Sequence, residues 1–235
     1  MVRLFARMLL LFVVASLAAW PAAANSPYNY QTVVIDGGPT SISDAYPLDD
    51  IEQAAIGYHH ATAAQPQLWF SFDGKYADKV HIQMGVPQLE PYRLLRPLVA
   101  IVGPGMPAPD RPLPFALPAG YGALIYDTAA QSVENYKESY TGTQSWRFSA
   151  EDFHIPASGA CYIVGFTPHG EAGKFWMAVG EKHSFRFADL LTINGTTRKI
   201  CAFFEITPFT GVVFWSQLLF GFLAAFLAVV AVSPR

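Results

Sequence analysis

The sequence predicts a mainly β protein: an antiparallel, jelly-roll-like β-sandwich followed by a single C-terminal transmembrane helix. Short runs of β-branched and aromatic residues alternate with glycine- and proline-containing turns about every dozen residues, as in sandwiches. Two runs, 160–167 and 174–179, are almost continuously apolar, which is typical of strands covered on both faces. Residues 211–232 contain no charged side chain. At a rise of about 1.5 Å per residue they are long enough to cross a hydrocarbon core of about 30 Å.

The N-terminal segment has the pattern of a secretory signal. Arg3 and Arg7 precede an apolar stretch, and Ala22–Ala24 supplies the small residues of a cleavage site. An uncleaved signal anchor is the alternative. The predicted segments are a signal peptide (1–24), an exported β-sandwich (25–206), a transmembrane helix (207–232) and a cytoplasmic tail (233–235). They describe a type I single-pass protein of the bacterial inner membrane, with its body in the periplasm or outside the cell.

The composition of the chain limits the kinds of molecule that we expect it to bind. Charged residues make up only 14% of the chain, against about a quarter in typical soluble proteins. The exported body has no basic cluster, so we expect no nucleic-acid partner. Cys161 and Cys201 would lie in an oxidising compartment, where they form either one disulfide or two separate buried thiols.

The first half of the exported body contains three clear strand patterns. Residues 33–35 precede a turn, and residues 67–72 run into the turn dipeptide Asp73–Gly74. Residues 79–86 alternate in polarity, which predicts a half-buried strand. Val80, Ile82 and Met84 should face the core, and Lys79, His81 and Gln83 should face outward.

The second half contains further strands and one unusual connection. Residues 103–120 hold six prolines and three glycines, so they predict a rigid surface loop that wraps the sandwich edge or acts as a docking arm. Strands are expected over 98–102, 121–126 and 146–148. The two apolar runs on either side of the turn 168–173 predict a strand–turn–strand hairpin. Residues 189–206 fit either a hairpin around Asn194–Gly195 or a juxtamembrane amphipathic helix.

Three segments together resemble a known kind of domain. Leu68–Gly74, Lys79–Met84 and Ile155–Val164 resemble the exported jelly-roll domains of bacterial secreted proteins, the pre-peptidase C-terminal type above all. Such domains are small sandwiches appended to enzymes, where they assist folding, substrate adhesion or secretion. This chain departs from them by its proline-rich segment, its membrane tail and the lack of an attached catalytic domain. The resemblance implies the fold and transfers no functional residue.

The sequence contains no enzyme signature, and it assigns no metal or cofactor. No Gly-x-Ser-x-Gly elbow occurs, so we expect the chain not to be an enzyme. His81 and Met84 are soft ligands suited to copper, but in a strand their side chains point to opposite faces. Asp49–Asp50 and Asp73 offer oxygens for calcium without the spacing of a calcium loop.

Two residue groups are candidates for binding partners. Tyr136, Tyr140 and Trp146 could stack against a glycan. In the predicted span, Gly221 and Ala225 permit close helix packing, and Gln217 could hydrogen-bond across a helix pair. We therefore expect a membrane-anchored accessory that binds or scaffolds another envelope membrane protein. The alternative is a cell-surface module for a glycan or for a metal such as copper or calcium.

Overall fold

A computed structural model describes residues 32–35, 38, 40–139, 141–183, 189–208 and 221–223. These residues include twelve strands, the α-helix α1 and the helical residues 221–223, with short 3-10 turns at Ile42–Asp44, Glu90–Tyr92 and Thr128–Ala130. The strands are β1 (Thr32–Ile35), β2 (Tyr46–Pro47), β3 (Ala55–Ala61), β4 (Gln67–Gly74), β5 (Lys79–Pro87), β6 (Leu98–Pro104), β7 (Tyr121–Asp127), β8 (Val133–Lys137), β9 (Gln144–Phe148), β10 (Glu151–His154), β11 (Gly159–Phe166) and β12 (Gly173–Val179). The helix α1 spans Asp189–Phe203.

The strands form the two sheets of a β-sandwich, as predicted. The larger sheet has the order β1-β3-β12-β5-β9-β8, with β10 also paired to β5. The smaller sheet has the order β2-β4-β11-β6-β7. The pairing is antiparallel except that β1 lies parallel to β3 and β2 lies parallel to β4.

The core between the sheets follows the alternation of the strands. Val80, Ile82 and Met84 of β5 are fully buried and belong to the central cluster, whereas Lys79 is exposed and His81 is partly exposed. This confirms the predicted inward and outward faces of β5. The inner face of β12 contributes Phe175, Met177 and Val179 to the same cluster.

The predicted hairpin of 160–167 and 174–179 is wrong in its pairing. Both segments are strands and both are central, but β11 pairs with β4 and β6, whereas β12 pairs with β3 and β5. The connection 167–172 therefore crosses from one sheet to the other. Apolar content indicates that a strand is covered on both faces, but it carries no information about which neighbour the strand pairs with.

Each sheet also has a covered outer face. Residues 189–203 form a helix and not a hairpin. Ile200 and Phe203 of α1, with Phe204 just after it, pack against Ile56 and Trp176 of the larger sheet. On the smaller sheet, the proline-rich segment 105–120 has no helix or strand and lies over the strands. Its Phe115 ring contacts Trp69 at 4.9 Å and Phe166 at 5.7 Å between centroids. The predicted loop is thus confirmed over 105–120, but it covers the outer face of β4 and β11 and does not follow the sandwich edge.

Most residues of the predicted signal peptide and transmembrane helix lie outside the part of the chain that the structure describes. The signal peptide 1–24 falls entirely outside the described residues. Of the predicted span 207–232, residues 207–208 and 221–223 are described; the first two are irregular and the last three are helical. Gln217 and Ala225 are not among them. Within the described ranges, no helix is both long and apolar enough to cross a bilayer.

Candidate metal centre

The candidate centre is a cluster of His81, Asp152 and Glu181 on the outer face of the larger sheet. Each residue offers one ligand atom, and these atoms all lie within 4.8 Å of one another. The cluster sits where β5 begins. At this point β10 pairs with β5 on one side. On the other side β12 also pairs with β5, and the turn that follows β12 begins there.

His81 and Asp152 meet because their strands place them directly opposite each other. The antiparallel register of β5 and β10 pairs His81 with Asp152 and Lys79 with His154. The imidazole Nδ1 lies 2.6 Å from Oδ1 of Asp152. Because a carboxylate can only accept, the Nδ1–H donates this hydrogen bond. It is charge-assisted, and it fixes the orientation of the ring.

Glu181 is brought to His81 by the turn that ends β12. Gly180 has φ +76, and its N–H donates to the carbonyl of His81 at 3.1 Å. A Cβ at this position would lie 2.5 Å from the carbonyl oxygen of Gln53, so the turn requires glycine. The N–H of Glu181 in turn donates to the carbonyl of Glu52 at 3.0 Å. These two hydrogen bonds, from the N–H groups of Gly180 and Glu181, therefore fix the backbone that carries the Glu181 carboxylate.

Lys79 supplies the charge that balances the two carboxylates. Its ammonium contacts Oε2 of Glu181 and lies 3.4 Å from Oδ2 of Asp152. The hydrogen bond with Glu181, and then the bond and charge of Asp152, raise the pKa of Lys79. The hydrogen bond from His81, followed by the influence of Lys79, lowers the pKa of the Asp152 carboxyl. With a neutral imidazole, two carboxylates and one ammonium carry a net charge of −1.

The spacing of the ligand atoms suits one small cation after modest side-chain rotation. Tetrahedral zinc has ligand bonds of about 2.0–2.2 Å, which separate its ligand atoms by about 3.3–3.6 Å. The Nδ1 atom of His81 lies 3.7 Å from Oε1 of Glu181, close to that spacing. The distance between Nδ1 and Asp152 must increase, and the neutral ring must carry its proton on Nε2 instead of Nδ1, before Nδ1 can bind a metal. The side chains of Asp152 and Glu181 are 44% and 52% exposed, so both have room to rotate.

Tyr136 and Trp146, the two predicted glycan-stacking residues that the structure describes, do not converge. Tyr136 of β8 pairs with Ser145, whereas Trp146 pairs with Asn135, so the two rings lie on opposite faces of the sheet. Trp146 packs against the central core cluster. Tyr136 lies under the guanidinium of Arg147, 3.9 Å from its ring centroid. Tyr140 lies outside the described residues, and the glycan hypothesis stays a prediction.

The two cysteines are free thiols in the structure. Cys161 lies between the sheets in the core. Cys201 lies on α1, with its sulfur 4.0 Å from the carbonyl oxygen of Thr141. The sequence left open one disulfide or two separate buried thiols. The structure has the two separate buried thiols.

Of the three residues, only His81 is singled out by the sequence pattern. That pattern predicts His81 and Met84 on opposite faces of the strand, and Met84 is buried in the core on the other face. Asp152 and Glu181 lie 71 and 100 positions further along the chain. The available signal was the alternation in 79–86, which marks His81 as outward. The β5–β10 register places Asp152 beside it, and the Gly180 turn places Glu181 beside it.

Comparisons with known proteins give distant structural similarity. No protein-family model matches the chain, and no curated protein matches it. The pre-peptidase C-terminal domain of a collagenase from Bacillus anthracis is similar at 11% identity and a TM-score of 0.30, over 60% of this chain and 96% of that one. This is the type of domain whose resemblance was noted in the sequence.

Two other similar structures are described as copper-binding. CorA, a surface-associated copper-binding protein of Methylomicrobium album BG8, has 12% identity and a TM-score of 0.29, over 64% of this chain and 99% of that one. MopE, a secreted protein of Methylococcus capsulatus in which an oxidized tryptophan facilitates copper binding, has 11% identity and a TM-score of 0.27. The match covers 71% of this chain and 97% of MopE.

Proposed function

We propose that this chain is an exported, membrane-tethered β-sandwich that binds a divalent metal cation at His81, Asp152 and Glu181, and that it binds rather than catalyses. The observation that carries the proposal is the convergence of three ligand atoms from three separate backbone segments within 4.8 Å. Imidazole and carboxylate groups together suit zinc and copper(II). This develops the ligand-binding alternative that the sequence left open.

The electrostatics of the cluster support cation binding. Two carboxylates face the same point, and the nearest positive charge is the ammonium of Lys79, which is 42% exposed on a flexible stem. A dication that takes the position between the carboxylates replaces one positive charge by two. The backbone bonds around Glu181 and the β5–β10 register hold the ligand-bearing segments in place before binding, which reduces the ordering cost.

The role of an accessory subunit in an envelope membrane complex stays a prediction from the sequence. It depends on the packing of Gln217, Gly221 and Ala225 in the predicted span. The sandwich described here is compatible with such a role, because a tethered module can bind a cation for a neighbouring protein. The cation site is the part of the proposal that can be tested on the chain alone.

The test is calorimetric titration of the chelator-stripped full chain in detergent with Zn²⁺. We expect one ion per chain. The double variant Asp152→Asn/Glu181→Gln keeps side-chain shape and removes both charges, and it should weaken binding by more than the ~10–100-fold that loss of an outer-shell partner costs.

A charge-matched control tests whether binding depends on these two carboxylates or on the negative charge of the protein surface in general. Glu90→Gln/Asp110→Asn removes two exposed carboxylates elsewhere on the surface, and it should leave the affinity unchanged. Equal weakening by both double variants, or no binding by the unaltered chain, contradicts the proposal.

A further inference from the structure

We propose that His154 is the fourth ligand of this centre and that it binds the metal as Lys79 leaves, which makes the site selective for dications that prefer imidazole, such as Zn²⁺ and Cu²⁺, over Ca²⁺. This inference rests on the proposed function. It adds a residue that lies outside the three-residue cluster and assigns the class of ion. It also gives Lys79 a role as the internal cation that the metal displaces.

The strand register places His154 beside the cluster. His154 pairs with Lys79 across β5 and β10, and Asp152 pairs with His81. Residues two positions apart on one strand point to the same face of the sheet, and so do residues that pair directly across two antiparallel strands. All four of these residues therefore share one face. His154 is therefore the diagonal neighbour of His81 on the outer face, at the separation of about 7–8 Å that long and aromatic side chains can bridge. It is exposed, so its ring is free to turn towards the centre.

Lys79 occupies the position that the metal needs. Its ammonium contacts Glu181 and lies 3.4 Å from Asp152, between the same two carboxylates. Two positive ions cannot share that space without repulsion, because the ammonium and a dication would stand only a few ångströms apart. The lysine stem is long enough to swing the charge into solvent, where it stays protonated. Its departure clears the space directly opposite His154.

The resulting ligand set determines the class of metal. Two imidazoles and two carboxylates complete a four-coordinate site of the kind that zinc adopts. Calcium takes six to eight oxygen ligands and gains nothing from imidazole. Removal of His154 should therefore affect Zn²⁺ and Cu²⁺ and leave Ca²⁺ unaffected.

The experiment compares Zn²⁺ and Ca²⁺ binding by the full chain and three variants. His154→Ala should weaken Zn²⁺ binding about 10-fold or more, by loss of a ligand, and leave Ca²⁺ binding unchanged. His169→Ala removes an exposed imidazole from the turn before β12 and should change neither. Lys79→Met keeps the stem without the charge and should strengthen Zn²⁺ binding about fivefold or more, since the repulsion is gone.

The outcomes separate this inference from the function on which it rests. If the unaltered chain binds Zn²⁺ but His154→Ala binds it equally well, the fourth ligand is refuted and the three-residue site stands. If Lys79→Met binds Zn²⁺ no better than the unaltered chain, the displacement of Lys79 is refuted. If the unaltered chain binds no Zn²⁺, the proposed function fails together with the inference. Circular dichroism of each variant verifies that these surface changes leave the fold intact.

Discussion

At the residue scale, Cys161 shows how position determines the chemistry of a side chain. Its thiol lies in the core, where a Cβ on Gly103 would approach the sulfur to 2.8 Å. Burial raises the pKa of Cys161 to about 11. Burial also raises the pKa of Cys201. The thiolate is the reactive form of cysteine, so both thiols are chemically quiet at neutral pH.

We expect iodoacetamide to alkylate Cys161 very slowly in the folded chain. At pH 8 a thiol with a pKa of about 11 is ionised about 100-fold less than one with the ordinary pKa of 9.0, and burial slows access of the reagent further. Mass spectrometry of timed samples measures the rate, and the urea-unfolded chain is the control, in which both cysteines should react fast. Rapid modification of Cys161 in the folded chain would show that it does not lie in the core.

At the element scale, the contact of β5 with β12 depends on a residue that has no side chain. Gly85 pairs with Trp176, and a Cβ on Gly85 would lie 2.3 Å from the indole ring. The indole Nε1–H donates to Oγ of Ser145 at 3.0 Å, which fixes the ring across the glycine. The ring therefore has no room to move aside without losing a buried hydrogen bond.

Gly85→Ala should lower the free energy of unfolding by about 1–3 kcal/mol, the usual effect of forcing extra volume into a packed region. Denaturant titration monitored by tryptophan fluorescence measures the change. Gly195→Ala is the matched control, because that glycine lies in α1 with nothing within 4 Å of its added Cβ. It should stabilise the helix by about 0.5–1 kcal/mol. A neutral Gly85→Ala would show that Trp176 does not lie across β5.

The elements themselves could be predicted from the sequence far better than their pairing. The alternation in 79–86 and the apolar runs at β11 and β12 follow from local burial, which periodicity records. The sheet in which β11 or β12 lies depends on contacts between distant segments, and periodicity does not record them. The same limit applies to the candidate centre: His81 could be placed outward, but its neighbours Asp152 and Glu181 come from register and from the Gly180 turn.

At the scale of the whole molecule, the sandwich has two distinct ends. Lys174, near the start of β12, donates to the carbonyl of Phe203 at 2.8 Å and pairs with Glu205, so α1 ends there. The other end of β12, about 20 Å away at about 3.3 Å per residue, leads to Gly180 and the metal centre. The end of α1 and the candidate metal centre therefore lie at opposite ends of β12.

The most direct measurement of the central claim is the location of the ion. Crystals of the full chain soaked in Zn²⁺ would be measured at the zinc absorption edge for anomalous scattering. We predict a peak about 2.0–2.2 Å from a ring nitrogen of His81 and from carboxylate oxygens of Asp152 and Glu181. Zinc peaks elsewhere on the protein, with none between these three side chains, would contradict the account.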